Sequence, residues 1–161
     1  LIVKKKIRGM KTTNFDVYDQ SGNLLLQVDG GVWGLTMTRT LRDPAGFPII
    51  TVRGKALSIW HKWSAYEGER IGDEERLLFS VRQSSPIQIK KELNVFLAGN
   101  HRRQSPNFRV VGSYTSLSFK VFYDHRLIAE VTHKFTLESF CKGKEKYRVR
   151  VYPEVDYAFI V

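Results

Sequence analysis

Apolar and polar residues alternate in short runs along this chain, and clusters of Gly, Pro, Asn and Asp separate the runs. Successive side chains of a β-strand point to opposite faces of the sheet, so this alternation predicts strands with one buried face. Short strands at regular spacing with turn residues between them are typical of an all-β sandwich or barrel. The sequence therefore predicts a mainly β domain built from antiparallel hairpins.

Two hairpins are predicted most clearly, with strands at residues 15–18 and 24–28 for the first and at residues 37–41 and 49–53 for the second. The first turn contains Ser21-Gly22-Asn23, which supplies the positive-φ positions that a tight turn requires. The second turn is Asp43-Pro44-Ala45-Gly46, in which Pro presets φ and Gly takes the left-handed position.

The remaining strands are predicted from the same alternation, at residues 58–66, 77–82, 87–97, 108–114, 118–123, 127–134 and 146–152. The polar residues 67–76 form a charged, exposed loop between the first two of them. Gly30-Gly31 comes before Trp33 and lacks the Lys and the Ser or Thr of a nucleotide-binding loop. We interpret this pair as a tight corner with an anchoring tryptophan.

The C-terminal segment differs from the rest of the chain. Asp156 is a suitable N-cap for a helix, and residues 157–161 that follow are apolar on every side. A helix that is apolar all round is predicted to be buried. The predicted helix stops after less than two turns, and the chain begins without Met. We therefore expect that the natural chain continues at both ends. Residues 1–161 are predicted to form a single domain.

Composition supports one globular domain and raises the question of its partners. The chain has 161 residues, 42% of them hydrophobic, which suits one hydrophobic core. Lys and Arg number 26 against 16 Asp and Glu, a formal net charge of +10, so polyanions are the first partners to consider. The alternative is that solubility alone selected the charge. Cys141 is the single cysteine, which excludes an intrachain disulfide and favours an intracellular location.

Residues suited to catalysis or to metal binding do not cluster. The sequence predicts no metal site and no cofactor, because the four histidines are scattered and Cys141 has no ligand at metal-site spacing. Asp73-Glu74-Glu75 lies in a loop with arginines and is interpreted as a solvated turn, since exposed carboxylates make poor general acids. No run of apolar residues is long enough to span a membrane as a helix. A binding protein is therefore predicted, and an enzyme would need a buried titratable pair that a sequence does not reveal.

Basic residues are the remaining candidates for function. The predicted anion-binding residues are Lys90, Lys91, Arg102 and Arg103. A dibasic pair beside a polar loop can converge on one phosphate group. In residues 146–150 the three cations Lys146, Arg148 and Arg150 share one strand face. That stripe either tracks phosphates or is a plain solvent-facing side of the strand whose charges guard against edge pairing. Nucleic acid is a less favoured ligand, because neither interleaved aromatics nor a recognition helix is present.

Several segments together resemble the plant LURP-one-related family, which is similar to the tubby C-terminal domain and the phospholipid scramblases. The similarity lies in residues 15–19, 22–25, 33–35, 46–53, 63, 84–85, 93–97, 108–110, 112–113 and 149–160. The last of these segments is the closest match. Trp33 stands where the family often carries Phe, and the chain ends at Val161, where relatives continue the apolar helix and a final strand.

The resemblance implies a closed antiparallel β-barrel of about twelve strands around a central hydrophobic C-terminal helix. It also implies a role in plant defence, phosphoinositide binding at a membrane surface and membrane-tethered transcriptional regulation, at the membrane periphery, in the cytoplasm or in the nucleus. Calcium binding of the scramblase kind does not transfer, because no acidic calcium loop is present. The leading hypothesis is binding of anionic lipid headgroups, and the alternative is a protein-interaction scaffold in defence signalling whose charge is incidental.

Overall fold

The computed structural model describes residues 1–8, 12–33, 35–55, 62–69, 76–84, 91–102, 104–113, 117–134 and 146–161. These residues form twelve strands, listed in chain order as β1 Ile2–Arg8, β2 Thr12–Tyr18, β3 Leu24–Trp33, β4 Thr36–Arg42, β5 Pro48–Lys55, β6 Trp63–Glu67, β7 Leu77–Gln83, β8 Lys91–Leu97, β9 Phe108–Ser113, β10 Ser118–Tyr123, β11 Arg126–Lys134 and β12 Lys146–Val151. Among the same described residues a short helix, α1, spans Tyr157–Ile160.

The twelve strands close into one antiparallel barrel. Each strand pairs with its neighbours in sequence, and β1 pairs with β12 to complete the ring. A closed barrel leaves no strand with an unpaired edge, which removes the main route to edge-to-edge aggregation. The fold class predicted from the sequence and its family resemblance, including the number of strands, is confirmed.

The connections alternate between the two ends of the barrel. The connections β2–β3, β4–β5, β6–β7, β8–β9 and β10–β11 lie at the end where α1 follows β12, which we call the helix end. The other end is called the opposite end. The two predicted hairpins are confirmed at the helix end, where Gly22 and Gly46 have φ of 90° and 93°.

Inward-facing aliphatic side chains form the core on two sides of the barrel. Val17, Leu26 and Leu41 form one buried cluster, and Val121, Ile128 and Ala129 form the other. Burying each Val, Leu or Ile side chain stabilises the fold by about 1.5–3 kcal/mol. The alternation of apolar and polar residues that predicted the strands therefore corresponds to side chains that point in turn into the lumen and into solvent.

Helix α1 sits across the helix end of the barrel. Asp156 caps it by accepting a hydrogen bond from the backbone N–H of Ala158 at 2.8 Å, so the predicted helix start is confirmed. Phe159 points inward and packs on Phe79 and Phe108, with ring centroids 5.1 and 4.7 Å away. The prediction that the whole segment is buried is wrong, since Tyr157 is 41% exposed. Because α1 is a single turn at the open end of the barrel, one side of it faces the lumen and the other side faces water.

The Gly30-Gly31 pair is not a corner, so that prediction is wrong. Both residues lie inside β3, where they pair with Arg39 and Thr38 of β4. A Cβ on Gly30 would collide with the carbonyl oxygen of Thr38, and Gly30 has φ of 151°. Glycine is therefore required here by the close approach of two backbones.

Some predicted features lie outside the described residues. These are residues 58–61 and 87–90 of two predicted strands, most of the charged loop, namely residues 70–75 with Asp73-Glu74-Glu75, and Cys141. The described remainder of the two strands is confirmed as β6 and β8.

Candidate anion-binding surface

The three cations of β12 stand on the outside of the barrel. Lys146, Arg148 and Arg150 are exposed, while Val149 between the last two is only 4% exposed and faces the lumen. Alternate residues of a strand are about 7 Å apart, so neighbouring cations of β12 are separated by about this distance. The predicted sharing of one face by these cations is confirmed.

These cations do not protect an edge. Strand β12 pairs with β11 along Ala129 to Lys134 and with β1 along Ile2 to Lys4. The edge-protection alternative is therefore wrong, because both sides of β12 are already hydrogen-bonded. What remains is an ordinary solvated face or a surface for anions.

Strand β1 widens the stripe by one cation. Lys4 is exposed, and its Cα is the register partner of Lys146 on β12. The Nζ atom of Lys4 lies 4.2 Å from the ring centroid of Tyr18, a cation–π contact that restrains the side chain. We call Lys4, Lys146, Arg148 and Arg150 the basic stripe.

Two carboxylates border the basic stripe. Asp16 on β2 is the register partner of Lys4 and accepts a hydrogen bond from the Tyr18 hydroxyl at 2.9 Å. Glu130 on β11 is the register partner of Arg150 on β12 and of Lys120 on β10. Its Oε2 atom is 3.7 Å from Arg150 Nη1, and its Oε1 atom is 3.8 Å from Lys120 Nζ. Within the described ranges Lys146 and Arg148 form no ion pair. The charge of these two residues is therefore available to an anion from solution. The sequence did not reveal that Lys4, Lys120 and Glu130 lie on this surface, because the register between strands places them there and spacing along the chain does not.

The structure separates the residues that the sequence grouped as anion-binding candidates. Lys91 is the first residue of β8 at the opposite end, and Arg102 is exposed in the β8–β9 connection at the helix end. Six residue steps along β8 span about 20 Å, so Lys91 and Arg102 do not contact the same phosphate group. Lys90 and Arg103 lie outside the described residues.

A cavity of 350 Å³ lies in the barrel lumen beneath α1. Its lining includes Phe15, Ile50, Phe79 and Phe159, and Arg39 is the charged residue among the described residues that line it. Among the described residues that line it there is no carboxylate or nucleophile for catalysis. Elsewhere in the described ranges, no three His, Cys, Asp or Glu side chains converge as a metal site would need.

The helices that the structure describes include none with the length and apolar character to cross a membrane.

Comparison with known proteins gives consistent matches over the whole chain. The family model described as LURP-one-related matches residues 1–161. The chain is 46% identical to LURP-one-related 14 of Arabidopsis thaliana, over 100% of this chain and 79% of that protein. It is 37% identical to LURP-one-related 9 of the same plant, over 100% of this chain and 85% of that protein.

A solved structure shares the fold. The X-ray structure of a protein from Arabidopsis thaliana matches with a TM-score of 0.70 and 32% identity, covering 99% of this chain and 84% of that one. The strand order and closure described above are therefore similar to those of an experimentally determined relative.

Proposed function

Because the chain belongs to the LURP-one-related family, we propose that it acts as a non-enzymatic barrel module that binds anionic lipid headgroups, phosphoinositides among them. The basic stripe is the observation that carries the proposal, since its cations share one outer face and two of them lack a carboxylate partner within the described ranges. By resemblance, the proposed setting is plant defence and membrane-tethered transcriptional regulation inside the cell.

The four candidates from the sequence keep a place in this proposal. Of the described members, Lys91 lies at the opposite end of the barrel and Arg102 at the helix end. A flat membrane contacts one side of a domain at a time. At most one of these two residues therefore adds to the headgroup contacts of the basic stripe.

Reversing one charge of the basic stripe should weaken binding to anionic vesicles. A cation near an anionic membrane contributes about 1 kcal/mol, so Arg148→Glu, which changes the charge by two units, should cost about 2 kcal/mol or roughly 30-fold in affinity. Cosedimentation with phosphatidylcholine vesicles that contain phosphatidylinositol 4,5-bisphosphate measures the change.

Arg126→Glu is the matched control for Arg148→Glu. Both arginines are exposed on neighbouring strands, and both substitutions make the same change in net charge. Equal loss of affinity in the two variants would show that overall charge, and not the basic stripe, drives binding. That result would sink the assignment of the site.

The second candidate function is a protein-interaction scaffold with incidental charge. It is favoured by the exposed apolar residues at the helix end, such as Phe47 at 70% and Tyr123 at 48% exposure. Salt separates the two functions, because headgroup binding by surface cations is screened by salt and an apolar protein interface is not.

A further inference from the structure

Three cations of the basic stripe stand next to one another on the barrel wall. Lys4 and Lys146 are register partners on β1 and β12, so their side chains leave the wall about 5 Å apart. Arg148 follows Lys146 on the same face of β12, about 7 Å along the strand. All three side chains are exposed, and their long stems allow the charged groups to meet over one small anion. We call these three residues the cation trio.

The two carboxylates that border the stripe are engaged elsewhere. Asp16, beside the trio on β2, is only 3% exposed, and its Oδ2 accepts the hydrogen bond from the Tyr18 hydroxyl. Glu130 is the register partner of Arg150, and its Oε2 lies 3.7 Å from the Nη1 atom of that arginine. Neither carboxylate therefore stands over the exposed side of the trio.

A hydroxyl donor lies beside the trio. Thr132 on β11 is the register partner of Arg148 and is exposed on the same outer face. Its hydroxyl donates a hydrogen bond without adding charge, and Arg148 presents a planar fork of N–H donors. The cation–π contact between Lys4 and the Tyr18 ring restrains the lysine, which lowers the entropy lost when it binds an anion. The wall thus offers both charge and directed hydrogen bonds at one place.

These groups suit a phosphomonoester better than a phosphodiester. A monoester has three terminal oxygens and a charge of about −1.5 to −2 at neutral pH. The diester that links a phospholipid headgroup to its lipid has two terminal oxygens and a single negative charge, so it leaves part of the trio unused. Bidentate contact with a guanidinium adds geometric specificity to the attraction between charges.

We infer that the cation trio and Thr132 bind a phosphomonoester on a lipid headgroup, the group that phosphorylated inositol lipids carry, in preference to headgroups whose phosphate is only the diester. Arg148 holds two of the terminal oxygens, Thr132 donates to the phosphate from β11, and Lys4 with Lys146 neutralises its second charge. This inference rests on the proposed function and names the ligand chemistry of the same surface.

Vesicles of matched surface charge test the ligand chemistry. One set is phosphatidylcholine with phosphatidylinositol 4,5-bisphosphate, and the other is phosphatidylcholine with enough phosphatidylserine to give the same zeta potential. The unmodified chain should bind the first set at least about tenfold more tightly, because hydrogen bonds to a charged group add to the shared electrostatic attraction. Equal affinity would overturn the inference and leave the proposed function standing. Absence of binding to both sets would refute the proposed function as well.

Two substitutions that leave the net charge unchanged locate the site. Arg148→Lys removes the bidentate fork, and Thr132→Val removes the hydroxyl at nearly the same shape. Each should weaken binding to the bisphosphate vesicles about fivefold, with a change of less than about twofold on the phosphatidylserine vesicles. Arg126→Lys, at an exposed position outside the basic stripe, should alter neither affinity. Equal losses on both kinds of vesicle, or no loss on either, would contradict a phosphomonoester site at Arg148.

Soluble competitors separate a lipid headgroup from free phosphate as the source of the monoester. Inositol 1,4,5-trisphosphate should displace the chain from the bisphosphate vesicles at concentrations at which inorganic phosphate does not, because its further phosphates reach neighbouring cations of the stripe. Equal displacement by inorganic phosphate would overturn the assignment of the site to a headgroup.

Discussion

Gly30→Ala should lower the free energy of unfolding by about 3 kcal/mol or more. Gly30 faces Arg39 in the β3–β4 pairing, and an added Cβ would collide with the Thr38 carbonyl oxygen and approach the Arg39 Cα to 2.9 Å. Both obstacles are backbone atoms in a closed barrel, so neither moves without breaking the pairing. The φ of 151° adds strain, because L side chains rarely adopt it. Equilibrium unfolding in urea measures the loss.

Gly99→Ala is the matched control. Gly99 lies in the β8–β9 connection, and an added Cβ there would meet no atom within 4 Å. Its unfolding midpoint should therefore stay close to that of the unmodified chain. Gly30→Ala with wild-type stability would contradict the register of β3 against β4.

Phe159→Ala should destabilise the barrel by about 3 kcal/mol, near the lower end of the range for removing a packed aromatic ring. Phe159 is the inward-facing aromatic of α1, and it contacts Phe79 on β7 and Phe108 on β9. These contacts join the helix to two strands that are not adjacent to β12. Because the ring also borders the 350 Å³ cavity, its removal enlarges that cavity. Thermal unfolding followed by circular dichroism measures the effect.

Phe47→Ala tests whether loss of any phenylalanine has the same consequence. Phe47 is 70% exposed in the β4–β5 connection, so its removal should leave the melting temperature nearly unchanged. If Phe159→Ala were equally harmless, α1 would not be seated in the lumen.

Strand positions could be predicted from the sequence because one face of each strand is buried. Near-perfect alternation placed β12 correctly, and turn residues placed the β2–β3 and β4–β5 hairpins. The closure of the barrel came from the family resemblance, since alternation does not say which strands meet at the ends of a sheet. The requirement for glycine at position 30 was missed, because it depends on the partner strand and not on local sequence.

Only the part of the candidate site that lies on a single strand could be predicted from the sequence. Lys146, Arg148 and Arg150 share a face by simple period-two geometry, so the sequence was sufficient for them. Lys4 joins them through the β1–β12 register, which no local pattern contains. Lys91 and Arg102 lie at different ends of the barrel for a related reason, since most of strand β8 runs between them and only the folded strand shows that distance.

Salt-dependent vesicle binding of the unmodified chain tests the central claim most directly. Binding to vesicles of phosphatidylcholine with phosphatidylinositol 4,5-bisphosphate should be strong in low salt and fall steeply as salt rises, with little binding to phosphatidylcholine alone. Equal binding with and without the anionic lipid, or none in low salt, would contradict the account of the basic stripe as a headgroup-binding surface.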